Sequence, residues 1–371
     1  MSAPAAPARA PRTAAVAHRG DAKWGWLMAG PAIVLVITFL IAPFVMAFWL
    51  SLTNARLISP NAPEFTGADN FTRLLGVQLL TLDPERDAAG AIVLDEAGAP
   101  SYPSIRSFTR NKETFPQYAG MQEWFTVGLG DTRHVVLASD TVFMKSLVNT
   151  IAFAIVIVPL QSAFGLLLAL LVNRRTRGVN AFRTIYFIPV VMSMVVISIL
   201  WKFLYSPNEG MVNSFFSAIT LGAFQPVDWL GNPTTALPAV MFMSMWQAVG
   251  FHMIIWLSGL QTIPPELYEA AGLDGAGRVA AFRNVTWPGL RNTSVFILIT
   301  ITIAAFGLFT QIDVMTRGGP LDATSTVVYQ AVQQGFRTQD MGYGAAISVV
   351  FFVLVLIVAL IQRRLTREAR G

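Results

Sequence analysis

Six stretches of this chain are apolar and long enough to cross the roughly 30 Å of hydrocarbon in a bilayer as helices, each crossing taking about 20 residues. They are approximately residues 26–50, 147–172, 185–205, 236–257, 293–314 and 345–361. Composition agrees: 54% of the 371 residues are hydrophobic, 13% are charged and the mean hydropathy is +0.55. That is too apolar for an ordinary soluble globule of this length. The expected fold is an all-α polytopic membrane protein of six transmembrane helices. The first stretch runs for about 25 residues, against roughly 7–15 in a signal peptide's apolar region, and no small-residue cleavage site follows it. It is read as a retained helix.

Orientation follows from where the cations collect, because short cytoplasmic loops gather Lys and Arg. With the N-terminus inside, the inner side holds Arg9, Arg12, Arg19 and Lys23, then Arg174, Arg175, Arg177 and Arg183. It also holds Arg278, Arg283 and Arg291, and finally Arg363, Arg364, Arg367 and Arg370. These fifteen of the 26 Lys and Arg lie in short segments, whereas most of the others lie in one long, largely acidic loop. Both termini are expected in the cytoplasm of a bacterial cell, with the chain spanning its plasma (inner) membrane. The organisation expected is a disordered cytoplasmic tail at 1–23, rich in Ala, Pro and Arg, and a first transmembrane helix at 24–52. An extracytoplasmic loop or insert follows at 53–145, then a transmembrane core at 146–362 and a cytoplasmic tail at 363–371.

Several function classes lose their support at once. Cysteine is absent and the histidines are His18, His134 and His252, which disfavours a disulfide framework, a thiol nucleophile and a zinc site. The pI of about 9.7 has no basic patch interleaved with aromatics behind it, so nucleic acid is not an expected partner. No GxxxxGK[ST] phosphate loop occurs, so the chain is not expected to bind or hydrolyse ATP. His252 is a lone imidazole among apolar neighbours, which leaves a membrane-embedded enzyme without a catalytic constellation. A receptor would need a signalling module that the short C-terminal tail does not supply.

The six cores carry almost no ionisable residue: Asp313 and Lys202 both lie near segment ends. Ion-coupled transporters and pumps need such groups within the membrane. Neutral polar residues are there instead, Asn149, Gln161, Ser193, Ser198, Gln247 and Gln311, with Trp246, Phe306 and Phe309 near some of them in sequence. Amides and hydroxyls beside aromatic rings suit a sugar, whose hydroxyls need donors and acceptors and whose ring faces are apolar. Taken singly, each polar residue is better explained by a helix-to-helix hydrogen bond worth roughly 0.6 kcal/mol.

Between the fourth and fifth stretches, residues 263–293 read IPPELYEAAGLDGAGRVAAFRNVTWPGLRNT. Pro264 and Pro265 suit a helix start, and Gly275 offers the positive φ needed to leave that helix. A second helix is expected over 276–284, stopped by Pro288. Leu267, Ala270, Ala271 and Asp274 share one face by their three-and-four spacing.

Glu269-Ala270-Ala271, three residues, Gly275, nine residues, Val285, one residue and Trp287-Pro288 together resemble the EAA loop of ABC importer permeases, here at 263–288. Val285 and Trp287 stand where Ile and Leu are usual. FTGADNF at 65–71, RGVNAFRTIYFIPVVMS at 177–193, LYSPNEGMVN at 204–213, WLGNPTTALPAV at 229–240 and TRGGP at 316–320 are similar to the sugar-importer, MalF-like branch.

The resemblance implies the MetI-like permease fold and the import of a sugar, a di- or oligosaccharide such as an α-glucoside, by ATP-driven alternating access. The implied partners are a second permease making a heterodimer, two copies of a cytoplasmic ABC ATPase that binds ATP and Mg, an extracytoplasmic sugar-binding protein and membrane lipid. The chain itself needs no cofactor or metal and is not an enzyme. Glu269, Ala270, Ala271 and Gly275, with Leu267 and Asp274, are the implied ATPase-coupling residues, Glu269 as polar anchor and Gly275 as turn. Counting back from Glu269 places Trp246 at the tryptophan of the maltose-type sugar site, with Ser244, Gln247 and Ala248 as neighbours. Ser244 and Ala248 replace an Asn and a Gly there, so specificity does not transfer. Phe306, Thr310 and Gln311 are local candidates on the fifth helix. Roughly residues 76–139 take the topological place of the maltose permease's periplasmic domain, without a shared motif. A permease for glycerol phosphate or a polyamine is the alternative; it would call for membrane-embedded charge.

Overall fold

A helix that starts in an apolar run continues as long as its backbone ladder is unbroken, and Pro43 breaks the first one. In the computed structural model, which describes residues 19–96, 98–173 and 178–368, α1 (Arg19–Val36) passes through a π-turn at Ile37–Ile41 into α2 (Ala42–Ser51). The π-turn sits directly ahead of Pro43, where the Ala42 N–H reaches back to Ile37 O. Helix therefore begins at Arg19, ahead of the boundary expected at 24. Residues 1–18 of the expected tail lie outside the described residues. The chain divides into two compact units, 1–49 and 50–371.

In the second unit, α3 (Asp69–Leu75) leads into an insert that carries a small β-sheet within an otherwise helical chain. Strands β1 (Val77–Leu82), β2 (Gln122–Leu129) and β3 (Thr132–Ala138) form an antiparallel sheet in the order β1-β3-β2, with α4 (Ile105–Arg110) between the first two in sequence. Alternation does the work: Leu80 and Leu82 of β1 and Val135 and Leu137 of β3 are buried beneath Ile105, Phe108 and Tyr118. The acidic stretch before α4 is two tight turns, in which Asp87 and Asp95 accept from the backbone of Ala91 and Ala99, each at 2.9 Å.

The insert is tied to the membrane core at its base. Asp140 caps α5 (Thr141–Val172) by accepting from Phe143 N at 2.8 Å, and its other oxygen accepts from Tyr343 OH. Arg73 of α3 lies 4.0 Å over the Tyr343 ring and pairs with Asp340 at 3.1 Å. Asn70, from the FTGADNF motif, donates to the carbonyls of Ser51 and Thr53.

The third expected span is corrected by the structure. α6 (Val179–Val191) and α7 (Met194–Leu204) meet at 101° instead of forming one helix over 185–205. Pro189 removes a ladder N–H, and Met192 and Ser193 are extended, with ψ of 146° and 135°. Beyond them α8 (Met211–Ile219) precedes α9 (Ala236–Gln261), the helix around which α5, α6 and α13 pack. α10 (Pro265–Leu273), α11 (Arg278–Ala281), a π-turn at Phe282–Thr286 and α12 (Trp287–Gly289) make up the following loop. Pro288 does not stop the second loop helix as expected. It sits in the first turn of α12, where its missing N–H costs little.

The fifth span is also interrupted: α13 (Arg291–Phe306) ends at Gly307 and α14 (Thr310–Met315) follows. α15 (Val327–Val332) and a π-turn at Gln333–Arg337 lead to α16 (Met341–Glu368), which starts before and ends beyond the expected 345–361. Among the described residues, five helices or helix runs are long and apolar enough to span, and the α6–α7 pair would make a sixth.

α9 owes its central place to small residues that admit close neighbours. A Cβ on Gly250 would strike the Tyr186 carbonyl of α6, and one on Gly165 of α5 would press on His252 and Trp256. Met243, Met253, Trp256, Ile297 and Ile301 form the buried centre.

Candidate functional site

Two places gather the residues singled out in the sequence. The first is α10, which begins at Pro265 with Pro264 as its N-cap. Leu267, Glu269, Ala270 and Asp274 are exposed along it and Ala271 is half-buried. Gly275 has φ +74°, and the Ala276 N–H closes the helix end on Ala271 O at 2.9 Å. No residue with a Cβ takes that conformation cheaply. The helix is braced from behind: Tyr268 OH lies 3.0 Å from the buried Thr286 hydroxyl, across the turn. Sequence reasoning missed this brace, because Tyr268 and Thr286 are eighteen residues apart and carry no motif of their own.

α10 thus offers an apolar, small-residue surface, with Leu267, Ala270 and the almost fully exposed Leu273, and Glu269 as a carboxylate beside it. Nothing else in the described chain covers it. Such a surface on a rigid, braced helix suits docking into a cleft of another protein.

The second place is the N-terminal half of α9. Trp246 is 37% exposed, and its ring stands 5.4 Å from that of Trp201 on α7. From Trp201 an aromatic path continues to Tyr205 at 5.1 Å, Trp229 at 6.1 Å and Phe216 at 6.3 Å. It borders a cavity of about 550 Å³ between α7, α8 and α9, walled chiefly by aromatic and aliphatic side chains. None of the candidate substrate-pathway residues lines that cavity; its lining draws instead on the 204–213 and 229–240 motifs, Tyr205 and Trp229 among them. Trp201, which sequence reasoning missed, lines it as well; the available signal was its four-residue spacing from Tyr205 on one face of α7.

Ser244 is buried with its hydroxyl unpartnered among the described residues, and so is the Trp201 indole N–H. Gln247 and Ala248 are half-buried. Thr310 and Gln311 open α14, which packs against both α7 and α9, so the structure places their helix beside that of Trp246. Phe306 differs: it is buried, 6.5 Å from Phe351 of α16, and offers a solute no surface in this conformation.

Other polar residues named in the sequence are packed. Asn149 donates to the carbonyls of Asp322 and Ser325, both at 3.0 Å. Gln161 lies 3.1 Å from Nδ1 of His252, which is also 3.0 Å from Ala248 O. One ring nitrogen cannot both accept from Gln161 and donate to Ala248, so the histidine holds one of these bonds at a time. Asp313 pairs with Arg337 of the π-turn before α16. Beside that pair, burial pushes the Tyr329 phenol above the ordinary tyrosine range, opposed by Arg337 and reinforced by Asp313. Among the described residues no group of three or more His, Cys, Asp or Glu could hold a metal ion.

The family described as "Binding-protein-dependent transport system inner membrane component" matches residues 161–371. A trehalose/maltose transport system permease protein of Thermococcus litoralis is 29% identical over 350 residues, covering 94% of this chain and 96% of its own length. An sn-glycerol-3-phosphate transport system permease protein of Salmonella typhimurium is 32% identical over 239 residues, 64% of this chain and 79% of its own. Among solved structures, a bacterial ABC transporter involved in the import of the acidic polysaccharide alginate has a chain that superposes with a TM-score of 0.65. It is 20% identical and covers 94% of this chain and 98% of that one.

Proposed function

The chain belongs to the binding-protein-dependent transport system inner membrane components, and on that premise we propose how it works within its importer. It is a permease subunit and not an enzyme; ATP hydrolysis belongs to a separate partner. The solute is a sugar, a di- or oligosaccharide of the α-glucoside kind. The relative that aligns along nearly the whole chain, insert included, carries trehalose or maltose by its name, whereas the glycerol-phosphate relative aligns over about two thirds. The chemistry supports the same choice. An anionic solute calls for an uncompensated cation in the membrane, and the described cores offer Lys202 at a helix end and an Asp313 already paired.

Sugar faces stack on Trp246 and Trp201, while Ser244, Gln247, Thr310 and Gln311 meet hydroxyls. The 550 Å³ cavity has Thr234, Thr235 and Tyr205 as its hydroxyl-bearing residues, the tyrosine already donating to Ala239 O; that is too few for a polyol, and the cavity serves as an apolar approach beside the polar site. Phe306 takes part only after α13 and α16 separate.

The observation that carries the coupling role is the exposed, braced α10. It docks in the cleft of a cytoplasmic ATPase that binds ATP and Mg, one of two copies, with Glu269 as polar anchor and Gly275 fixing the turn. A second permease completes the heterodimer, an extracytoplasmic binding protein delivers the sugar, and both termini lie in the cytoplasm. Closure of the ATPases pushes on α10, and the permeases rock to open outward. ATP and the loaded binding protein must both prefer the outward-facing state, since only differential affinity moves such an equilibrium.

The test is ATP hydrolysis by the complete complex in liposomes with its binding protein, with trehalose or maltose and, as control, glycerol 3-phosphate. The expected result is stimulation by the disaccharide that Glu269→Ala loses while assembly is kept. Stimulation by glycerol 3-phosphate alone overturns the sugar reading, and an unimpaired Glu269→Ala complex overturns the coupling role.

A further inference from the structure

On the outer face of α6 a groove of about 570 Å³ runs alongside α9. Phe187, Ile188, Val191, Met192 and Ile254 form its apolar walls, and Arg183 stands at the end nearest the start of α6. Ile188 and Val191 are exposed, as expected of a surface that meets lipid. Arg183 lies four residues into the helix, about 6 Å from its start.

The guanidinium is incompletely used. Its Nη2 donates to Val172 O, at the C-terminal end of α5, at 3.1 Å. Its Nε is buried and has no acceptor among the described residues, and none of the ion pairs there includes Arg183. A guanidinium can donate five hydrogen bonds in a planar fork matched to phosphate. One cation heading an apolar groove selects an amphiphile with an anionic head; a free inorganic anion gains nothing from the walls, and a neutral lipid leaves the charge unmet.

We propose that this groove is a binding site for an anionic phospholipid of the leaflet on the side of the 263–290 loop. Its phosphate pairs with Arg183 and an acyl chain lies along Ile188, Val191 and Ile254. The lipid would also steady the α5–α6 corner, because the same guanidinium holds the last carbonyl of α5, that of Val172. This assignment is independent of which solute is carried.

The experiment uses the whole importer complex, reconstituted in equal phosphatidylglycerol and phosphatidylcholine, re-extracted in mild detergent, and its retained lipid weighed by mass spectrometry. The wild type should retain phosphatidylglycerol about fivefold over phosphatidylcholine, the worth of one interfacial cation. Arg183→Gln should abolish the preference while keeping some lipid, and Ile254→Trp, which fills the groove but spares Arg183, should lose both lipids. A preference unchanged in both variants overturns the site. A photo-crosslinking residue placed at Val191 in the otherwise native complex supplies a readout that does not depend on those variants. A lipid adduct supports the proposal, and an adduct to the second permease overturns it by showing that a protein covers the groove.

Discussion

Asn213 holds the loop between α7 and α9 shut with one side chain. Its amide donates to Pro207 O at 3.0 Å and Val227 O at 2.9 Å, and its carbonyl oxygen accepts from Val227 N at 3.3 Å and from the Trp229 indole at 2.8 Å. The two sequence motifs that end at Asn213 and begin at Trp229 are therefore one structural device. Replacing this buried amide with Leu leaves two carbonyls, an N–H and an indole without partners, at about 1 kcal/mol each. Asn213→Leu is expected to lose about 4 kcal/mol of stability, seen as a lower thermal midpoint of the purified complex, and to dislodge Trp229 from the aromatic path. A midpoint equal to wild type would show that the loop is held some other way. TRGGP has a similar explanation. Arg317 and Gly318 take positive φ, and the Tyr329 hydroxyl donates to Arg317 O at 2.8 Å, so the motif is a turn wrapped on a tyrosine.

At the scale of elements, α10 shows what spacing reveals and what it hides. Glu269, Ala270, Ala271 and Gly275 could be chosen from the sequence because their spacing resembles the EAA loop, while the helix and its left-handed exit leave a local pattern of their own. The bond from Tyr268 to Thr286 could not, because it depends on how the π-turn at Phe282–Thr286 folds the chain back. Tyr268→Phe removes that bond and little else. It should leave assembly and basal ATP hydrolysis intact and reduce hydrolysis stimulated by the loaded binding protein by up to about fivefold, the equivalent of one bond of about 1 kcal/mol. Full stimulation in the variant would mean that α10 transmits force without the brace. The insert makes the converse point: its alternating Leu80, Leu82, Val135 and Leu137 fit a strand period of two, yet the surrounding acidic turns masked that pattern in the sequence.

For the whole molecule, orientation rests on the asymmetry of Lys and Arg, and the chain's lack of cysteine makes it simple to check. Gly128→Cys in β2 and Leu273→Cys at the end of α10 both place a thiol on an exposed position. A membrane-impermeant maleimide should label the first in intact spheroplasts and the second only after lysis; the reverse pattern would invert the topology. What the sequence determined by itself was the order of the apolar passages, the EAA-like spacing of the 263–288 loop and the near-absence of ionisable residues from the apolar cores. Each of these follows from local composition or short-range spacing, and the cost of placing polar groups in lipid enforces them one segment at a time. The tertiary structure alone decided the 101° bend between α6 and α7, the break at Gly307, the burial of Phe306 and the meeting of Trp246 with Trp201. Those depend on which helix lies against which. Small residues such as Gly165 and Gly250 set that by how closely they admit a neighbour, a property of pairs of segments that no single segment carries.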